Sequence, residues 1–138
     1  MFILKFNKVI SVILLLINLL GAFYGGLGLM LKPDGSNIGL SIELIKHSPF
    51  HDFFIPGFIL LTANGLFSII VIITIVTNQK NYPLFIIAQG IILTTWIITQ
   101  VFLIDTVFFL HYLFGGIGVI LILSGWFQKI LKDSGKHG

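Results

Sequence analysis

The side chains that could do chemistry are concentrated in one polar segment, residues 33–57, of an otherwise apolar chain. His47 and His51 lie in this segment beside acidic residues, and His111 lies far along the chain in an apolar stretch. Histidine and carboxylate groups are common zinc ligands. Their spacing matches no dedicated zinc motif, and Pro49 prevents the two loop histidines from sharing one helical face. We therefore expect no bound metal.

Other catalytic chemistries are poorly supported. His51 and His111 on different helices could ligate a haem, but His51 is expected to be too superficial. Ser36 and Ser48 lack the glycine-flanked elbow of serine hydrolases. The chain has no cysteine, which excludes thiol redox chemistry and disulfides. We therefore expect no cofactor and no enzymatic activity.

His111 is the candidate functional residue within an apolar helix, because an ionisable group in a membrane is costly to bury. Its imidazole could move protons or bind a ligand or a metal. The bland alternative is a neutral structural group bonded to Gln100, to Asp52 or to a loop carbonyl. We count His51 with these residues as a candidate for a polar network near the outer surface.

Asn18 and Asn64 are further polar candidates. At 1.5 Å per residue both fall near the middle of the membrane, so we expect them to lie close together. Such a pair is more typical of helix packing than of a binding site.

The composition predicts the elements that position these groups. Apolar residues make up 57% of the chain and charged residues 9%, which a soluble domain would not tolerate. We expect an all-α membrane protein, a single domain 1–138 folded as a four-transmembrane-helix antiparallel bundle. The predicted helices cover about 9–31, 49–77, 84–103 and 106–127, with an outer loop at 32–48. Asp105 is expected to cap the last helix, and residues 128–138 are expected to fray.

The outer loop should be ordered by turn residues. Asp34, Gly35 and Ser36 predict a turn, since glycine permits positive φ and the flanking side chains bond nearby amides. Residues 38–47 are compatible with a short interfacial helix or with an extended segment.

The second helix carries start and kink signals. Ser48 followed by Pro49 predicts an N-cap and a first helical residue. Asp52 would then lie near the first turn, where the helix dipole favours a negative charge. Pro56 and Gly57 predict a kink where the helix enters the hydrocarbon.

Small and polar residues form one stripe on each predicted helix, and we expect the four stripes to face each other. They are Ser11, Asn18, Gly21, Ala22, Gly25 and Gly28; Gly57, Asn64 and Ser68; Gln89, Trp96 and Gln100; and His111, Gly115, Gly118 and Gly125.

Charge predicts the orientation. All eight cations are lysines, and most flank the termini or the connection between the second and third helices. This places both termini in the cytoplasm and makes the 32–48 loop extracytoplasmic. The first apolar run continues to Leu31, longer than a signal-peptide core, and lacks an A-x-A cleavage pattern, so we expect residues 1–31 to be an uncleaved first helix. We expect contacts with the lipid bilayer and with a protein partner or a second copy of the chain, but not with nucleic acid.

Three stretches carry a resemblance: G-G-L-G-L-M-L-K-P-D-G-S-N-I-G-L at 25–40, S-P-F-H-D-F-F-I-P-G-F-I-L-L-x-x-N-G at 48–65 and W-I-I-T-Q-V-F-L-I at 96–104. They resemble a family of small bacterial four-helix integral membrane proteins whose activity is uncharacterised. The P-D-G-S and S-P-F-x-D-F-x-I-P-G elements are the most specific. The resemblance implies a protein of the bacterial inner membrane. A looser similarity to DoxX-like proteins rests on size and hydropathy.

Two functions follow as hypotheses. The first is a non-enzymatic interaction or accessory role through the outer loop. The alternative is a small-solute or proton-linked transport or binding protein that uses a polar path at Asn18, Asn64, Gln100 and His111. A polar cavity that reaches Asn64 from outside would favour the alternative.

Overall fold

A computed structural model describes residues 2–104 and 106–137, and over these residues the chain is all-α. Four long helices run antiparallel: α1 Phe2–Leu31, α2 Phe54–Val76, α3 Tyr82–Ile104 and α4 Phe109–His137. Each is long and apolar enough to cross a membrane. The predicted four-helix bundle is confirmed, and the chain is a multi-pass membrane protein.

The helices pack in a ring in chain order. α1 contacts α2, α2 contacts α3, α3 contacts α4, and α4 returns to α1. The end of the bundle that carries residues 32–53 is called the loop end below, and the end that carries both termini is called the terminal end. An apolar core fills the terminal half, around Leu15, Val71, Ile86 and Leu121.

Glycines allow close helix contact at two crossings. A Cβ atom on Gly26 would lie 2.9 Å from the carbonyl oxygen of Gly57, and one on Gly90 would lie 2.7 Å from that of Gly118. Real Cβ atoms do not approach backbone oxygens this closely, so only glycine fits here. Gly57 and Gly118 belong to the predicted inward stripes, whereas Gly26 and Gly90 lie outside them.

α2 begins later than the sequence predicts. Residues 49–53 are bends and irregular backbone, and the helix starts at Phe54, so Ser48 and Pro49 do not start it. The Ser48 hydroxyl instead donates to the Ile45 carbonyl at 2.7 Å, which holds a turn in the loop. Asp52 does serve the helix start, because its Oδ1 accepts a hydrogen bond from the Phe54 amide at 3.0 Å.

The irregular part of α2 is a π-helical segment. Its first turn, Phe54–Ile59, contains Pro56, whose missing N–H costs no bond at that position. The backbone then widens over Leu60–Leu66 and returns to α-helix at Phe67–Val76. The helix therefore departs from α geometry beyond the Pro56-Gly57 pair rather than at it.

The loop consists of two short 3-10 turns, Ser36–Ile38 and Ile42–Ile45. The prediction of one interfacial helix or one extended segment over 38–47 is therefore wrong. The reason is Gly39, whose φ of 75° ends the first turn in the left-handed region. The predicted turn before it is confirmed: Gly35 has φ 83°, and the Ser36 amide donates to Asp34 Oδ1 at 2.9 Å.

α4 continues far beyond the predicted end at 127. Residues 128–137 are helical, so the prediction of a fraying tail is wrong over that range. Gln128 is buried on the helix face that meets α1, and Lys129 pairs with Asp133 at 2.8 Å. These contacts outweigh the polar composition that suggested fraying. The predicted cap at Asp105 lies outside the described residues.

Candidate functional site

A buried polar network joins α1, α2 and α3 at the middle of the bundle. Asn18 Nδ2 donates to the main-chain oxygen of Asn64 at 3.3 Å and to Ser68 Oγ at 3.0 Å. Ser68 Oγ donates to Gln89 Oε1 at 3.1 Å, and Gln89 Nε2 donates to Asn64 Oδ1 at 3.2 Å. The predicted proximity of Asn18 and Asn64 is confirmed, although Asn18 reaches the Asn64 backbone rather than its side chain.

The π-helical segment contributes to this network. Asn64 lies within this segment, Ser68 lies one helical turn after Asn64, and both residues are completely buried. Gln89 Nε2 also donates to the carbonyl of Ala63 at 3.3 Å. π-helical segments expose main-chain carbonyls in this way and are frequent at functional positions. The side-chain nitrogen of Asn64, Nδ2, has no hydrogen-bond partner in the described part of the chain.

His111 and Gln100 form a second polar pair near the loop end. The Phe108 amide donates to His111 Nδ1 at 3.0 Å, so the ring proton lies on Nε2. Nε2 then donates to Gln100 Oε1 at 3.1 Å. His111 is buried toward the bundle, as the stripe predicts, and Gln100 is its partner among the predicted possibilities. Asp52 is occupied at the start of α2 instead.

The loop titratable groups do not join this pair. His47 and His51 are exposed, and His51 does not join the polar network near the outer surface for which it was a candidate. In residues 2–104 and 106–137, histidine, aspartate and glutamate form no group of three that could hold a metal ion. Hydrogen bonds from the Ser36 amide and hydroxyl, with a smaller contribution from the Lys32 charge, lower the pKa of Asp34.

A third polar cluster lies at the terminal end and escaped the sequence analysis. Ser11 Oγ and Ser124 Oγ are 2.9 Å apart, and Gln128 Nε2 donates to both, at 2.9 Å and 3.0 Å. All three side chains are buried between α1 and α4. The position of Gln128 seven residues after Leu121, on the inward face of α4, was the signal that could have found it.

The loop half of the bundle contains a cleft of about 900 Å³. All four helices contribute walls, and the loop forms the roof through Ile38, Leu40, Leu44, Ile45 and Phe53. The predicted residues Asn18, Gln100 and His111 line it, whereas Asn64 does not. The outer loop is thus ordered against the bundle by its own apolar side chains, with Leu29, Ile45 and Phe53 forming a buried cluster.

The cleft is apolar and opens sideways. Tyr24 on α1 and Leu110 on α4 line it and are 71% and 58% exposed, which places the opening between these two helices. No lysine, aspartate or glutamate lines the cleft in the described part of the chain. Such walls suit an uncharged, mostly apolar molecule, because burying an unpaired charge there would be very costly.

Compared with protein-family models, with curated proteins and with solved structures, the chain matches none.

Proposed function

We propose that this is a non-enzymatic membrane protein that binds an uncharged, lipid-like molecule in the cleft between its helices. The observation that carries the proposal is the cleft itself: about 900 Å³, roofed by an ordered loop and bordered at its side by the exposed residues Tyr24 and Leu110. Ligand sites of this size are typically lined by apolar side chains with a few placed polar groups. Here those polar groups are Asn18, Gln100, His111 and Trp96.

The proposal includes the bacterial cytoplasmic membrane and two cytoplasmic termini. Lys5, Lys8, Lys80, Lys129 and Lys132 lie at the terminal end. Lys32 and Lys46 lie at the loop end, where acidic side chains balance them. An excess of lysine near span ends favours the cytoplasmic side. The cleft would then open within the outer leaflet.

The geometry favours lipid binding over a hydrated path for solutes or protons. Asn18 and Asn64 are closed into the central network, and Gln100 and His111 form a separate pair. Asn18 borders the cleft at its inner end, but Asn64 is not among the lining residues. A continuous chain of polar groups between the two pairs is missing from the described residues, and a proton or ion path requires one.

A bulky substitution in the cleft tests the proposal. Ile17 lines the cleft, whereas Ile13 lies one turn away on the same helix, is similarly exposed and does not line it. We expect Ile17→Trp to lose a lipid-like molecule that the unsubstituted protein and Ile13→Trp retain. Native mass spectrometry of protein released from lipid nanodiscs measures this retention. Equal retention by both variants, or none by the unsubstituted protein, would overturn the proposal.

A partner contact through the loop is a second candidate. The roof presents Ile42, which is 40% exposed, beside the exposed ion pair of Glu43 and Lys46 at 3.7 Å. Ile42 does not line the cleft. Ile42→Glu should therefore reduce crosslinking to a neighbouring protein or second copy while ligand retention stays unchanged. Unaltered crosslinked species would argue against a contact through this surface.

A further inference from the structure

Trp96 presents an unused hydrogen-bond donor at the cleft. Its side chain lines the cleft, and only 8% of the residue surface is exposed. Its indole Nε1–H has no partner in the described part of the chain. A buried N–H is normally bonded, and one left without a partner is costly. The arrangement therefore leaves a donor for a molecule inside the cleft.

Gln100 supplies a second donor on the same face of α3. It follows Trp96 by one helical turn, so the two groups are separated by about 6 Å along the axis. Its Oε1 is occupied by His111 Nε2, while its Nε2 donates to no group in residues 2–104 or 106–137. Both nitrogens of His111 are also occupied. This wall consequently offers donors rather than acceptors.

We propose that the cleft binds the ester carbonyl of a bilayer lipid through donation from Trp96 Nε1 and Gln100 Nε2. This inference rests on the proposed function and names the ligand's chemical class. Two uncharged donors match an uncharged acceptor, and a free carboxylate is disfavoured because no cation lines the described walls. The sideways opening between Tyr24 and Leu110 favours a molecule that arrives from the bilayer.

Depth agrees with this assignment. Gln100 lies about 6 Å and Trp96 about 12 Å from the loop end of α3, measured at 1.5 Å per residue. A lipid that enters sideways would bring its ester to these donors and leave its acyl chain along the apolar walls. Those walls include Ile97 on α3 and Leu60 on α2.

The test compares a long-chain fatty acid methyl ester with the alkane of equal chain length. Trp126 is the only other tryptophan and is 58% exposed on α4, outside the cleft. In a Trp126→Phe protein, brominated forms of the two probes should quench the remaining Trp96 fluorescence. We expect the ester to bind about tenfold more tightly than the alkane, as one hydrogen bond of ordinary strength allows.

A Trp96→Phe variant, assayed by native mass spectrometry, should show a smaller preference for the ester over the alkane, because it removes one of the two donors and leaves Gln100 Nε2 in place. Trp126→Phe is the matched control, because it removes an indole N–H outside the cleft. Equal binding of ester and alkane by the unsubstituted protein overturns the ester assignment and leaves the proposed function standing. Failure of both probes to bind overturns the proposed function as well. If Trp96→Phe does not fold, the quenching comparison alone decides.

Discussion

Gln89→Leu should be the most informative change in the central network. The Gln89 side chain accepts from Ser68 and donates to Asn64 Oδ1 and to the Ala63 carbonyl. Leucine has a similar volume and suits the apolar surroundings, so the change deletes bonds without a large cavity. It also leaves both polar side-chain atoms of Asn64 without a partner among the described residues, since its Nδ2 has none there already.

The expected loss of stability can be estimated from these bonds. Hydrogen bonds between membrane helices average about 0.6 kcal/mol each, because the unfolded chain in the membrane also finds partners. Three such bonds amount to about 2 kcal/mol. The corresponding change in the unfolding equilibrium is roughly 30-fold.

Reversible unfolding in mixed micelles, followed by circular dichroism, measures this free energy. Thr99→Val is the matched control on the same helix, because its exposed hydroxyl donates within the helix to the Thr95 carbonyl and makes no bond to another helix in the described part of the chain. We expect the control to change stability by less than about 0.5 kcal/mol. If Gln89→Leu is as stable as the control, the three bonds do not hold the helices together and the reasoning is wrong.

Two further predictions concern the helix crossing and the loop. Gly90→Ala should destabilise by about 1–3 kcal/mol in the same assay, because the new methyl group meets the Gly118 carbonyl. Gly116→Ala, with no atom within 4 Å of the added carbon, should be neutral. The hydrogen bond from Ser36 lowers the pKa of Asp34 below its ordinary value of 3.8. This bond therefore stabilises the turn at pH values above 3.8, and the stabilisation is lost as the pH falls through the lowered pKa of the folded protein. The amide NMR signal of Ser36 should therefore shift between about pH 6 and pH 2, and Asp34→Asn should abolish that titration.

The sequence predicts the bundle well because hydropathy and length act over whole helices. The end of α1 at Leu31 follows from Lys32-Pro33, and the turn at Asp34–Ser36 follows from local side-chain chemistry. The start of α2 was misplaced because Ser48 and Pro49 satisfy the same local rule in a turn as at a helix end. Contacts with distant parts of the chain decide whether a Ser-Pro pair starts a helix or lies in a turn, and a short stretch of sequence does not show those contacts.

In the candidate site, too, the sequence predicts the features set by local pattern and misses those set by tertiary packing. Inward stripes predicted the burial of Asn18, Asn64 and His111, since that depends only on helical periodicity. The π-helical segment was not predicted, because it depends on how α2 packs against α1 and α3. The cleft was not predicted either, because an empty volume depends on the separation of helices rather than on any one face.

The distribution of polar links explains why the cleft lies in the loop half. At the terminal end, Ser11 bonds across to Ser124 and Gln128, which draws α1 against α4. At the centre, Asn18 ties α1 to α2 and, through Ser68, to α3. Beyond Asn18, no hydrogen bond of the described residues joins α1 to α3 or α4; the Gln100–His111 pair links α3 and α4 only to each other. In the loop half, α1 therefore packs closely on α2 at Gly26 and Gly57, while no hydrogen bond of the described residues holds α1 to α3 or α4. The 32–53 loop covers the cleft between the helices with its apolar side chains, and the volume beneath it stays open.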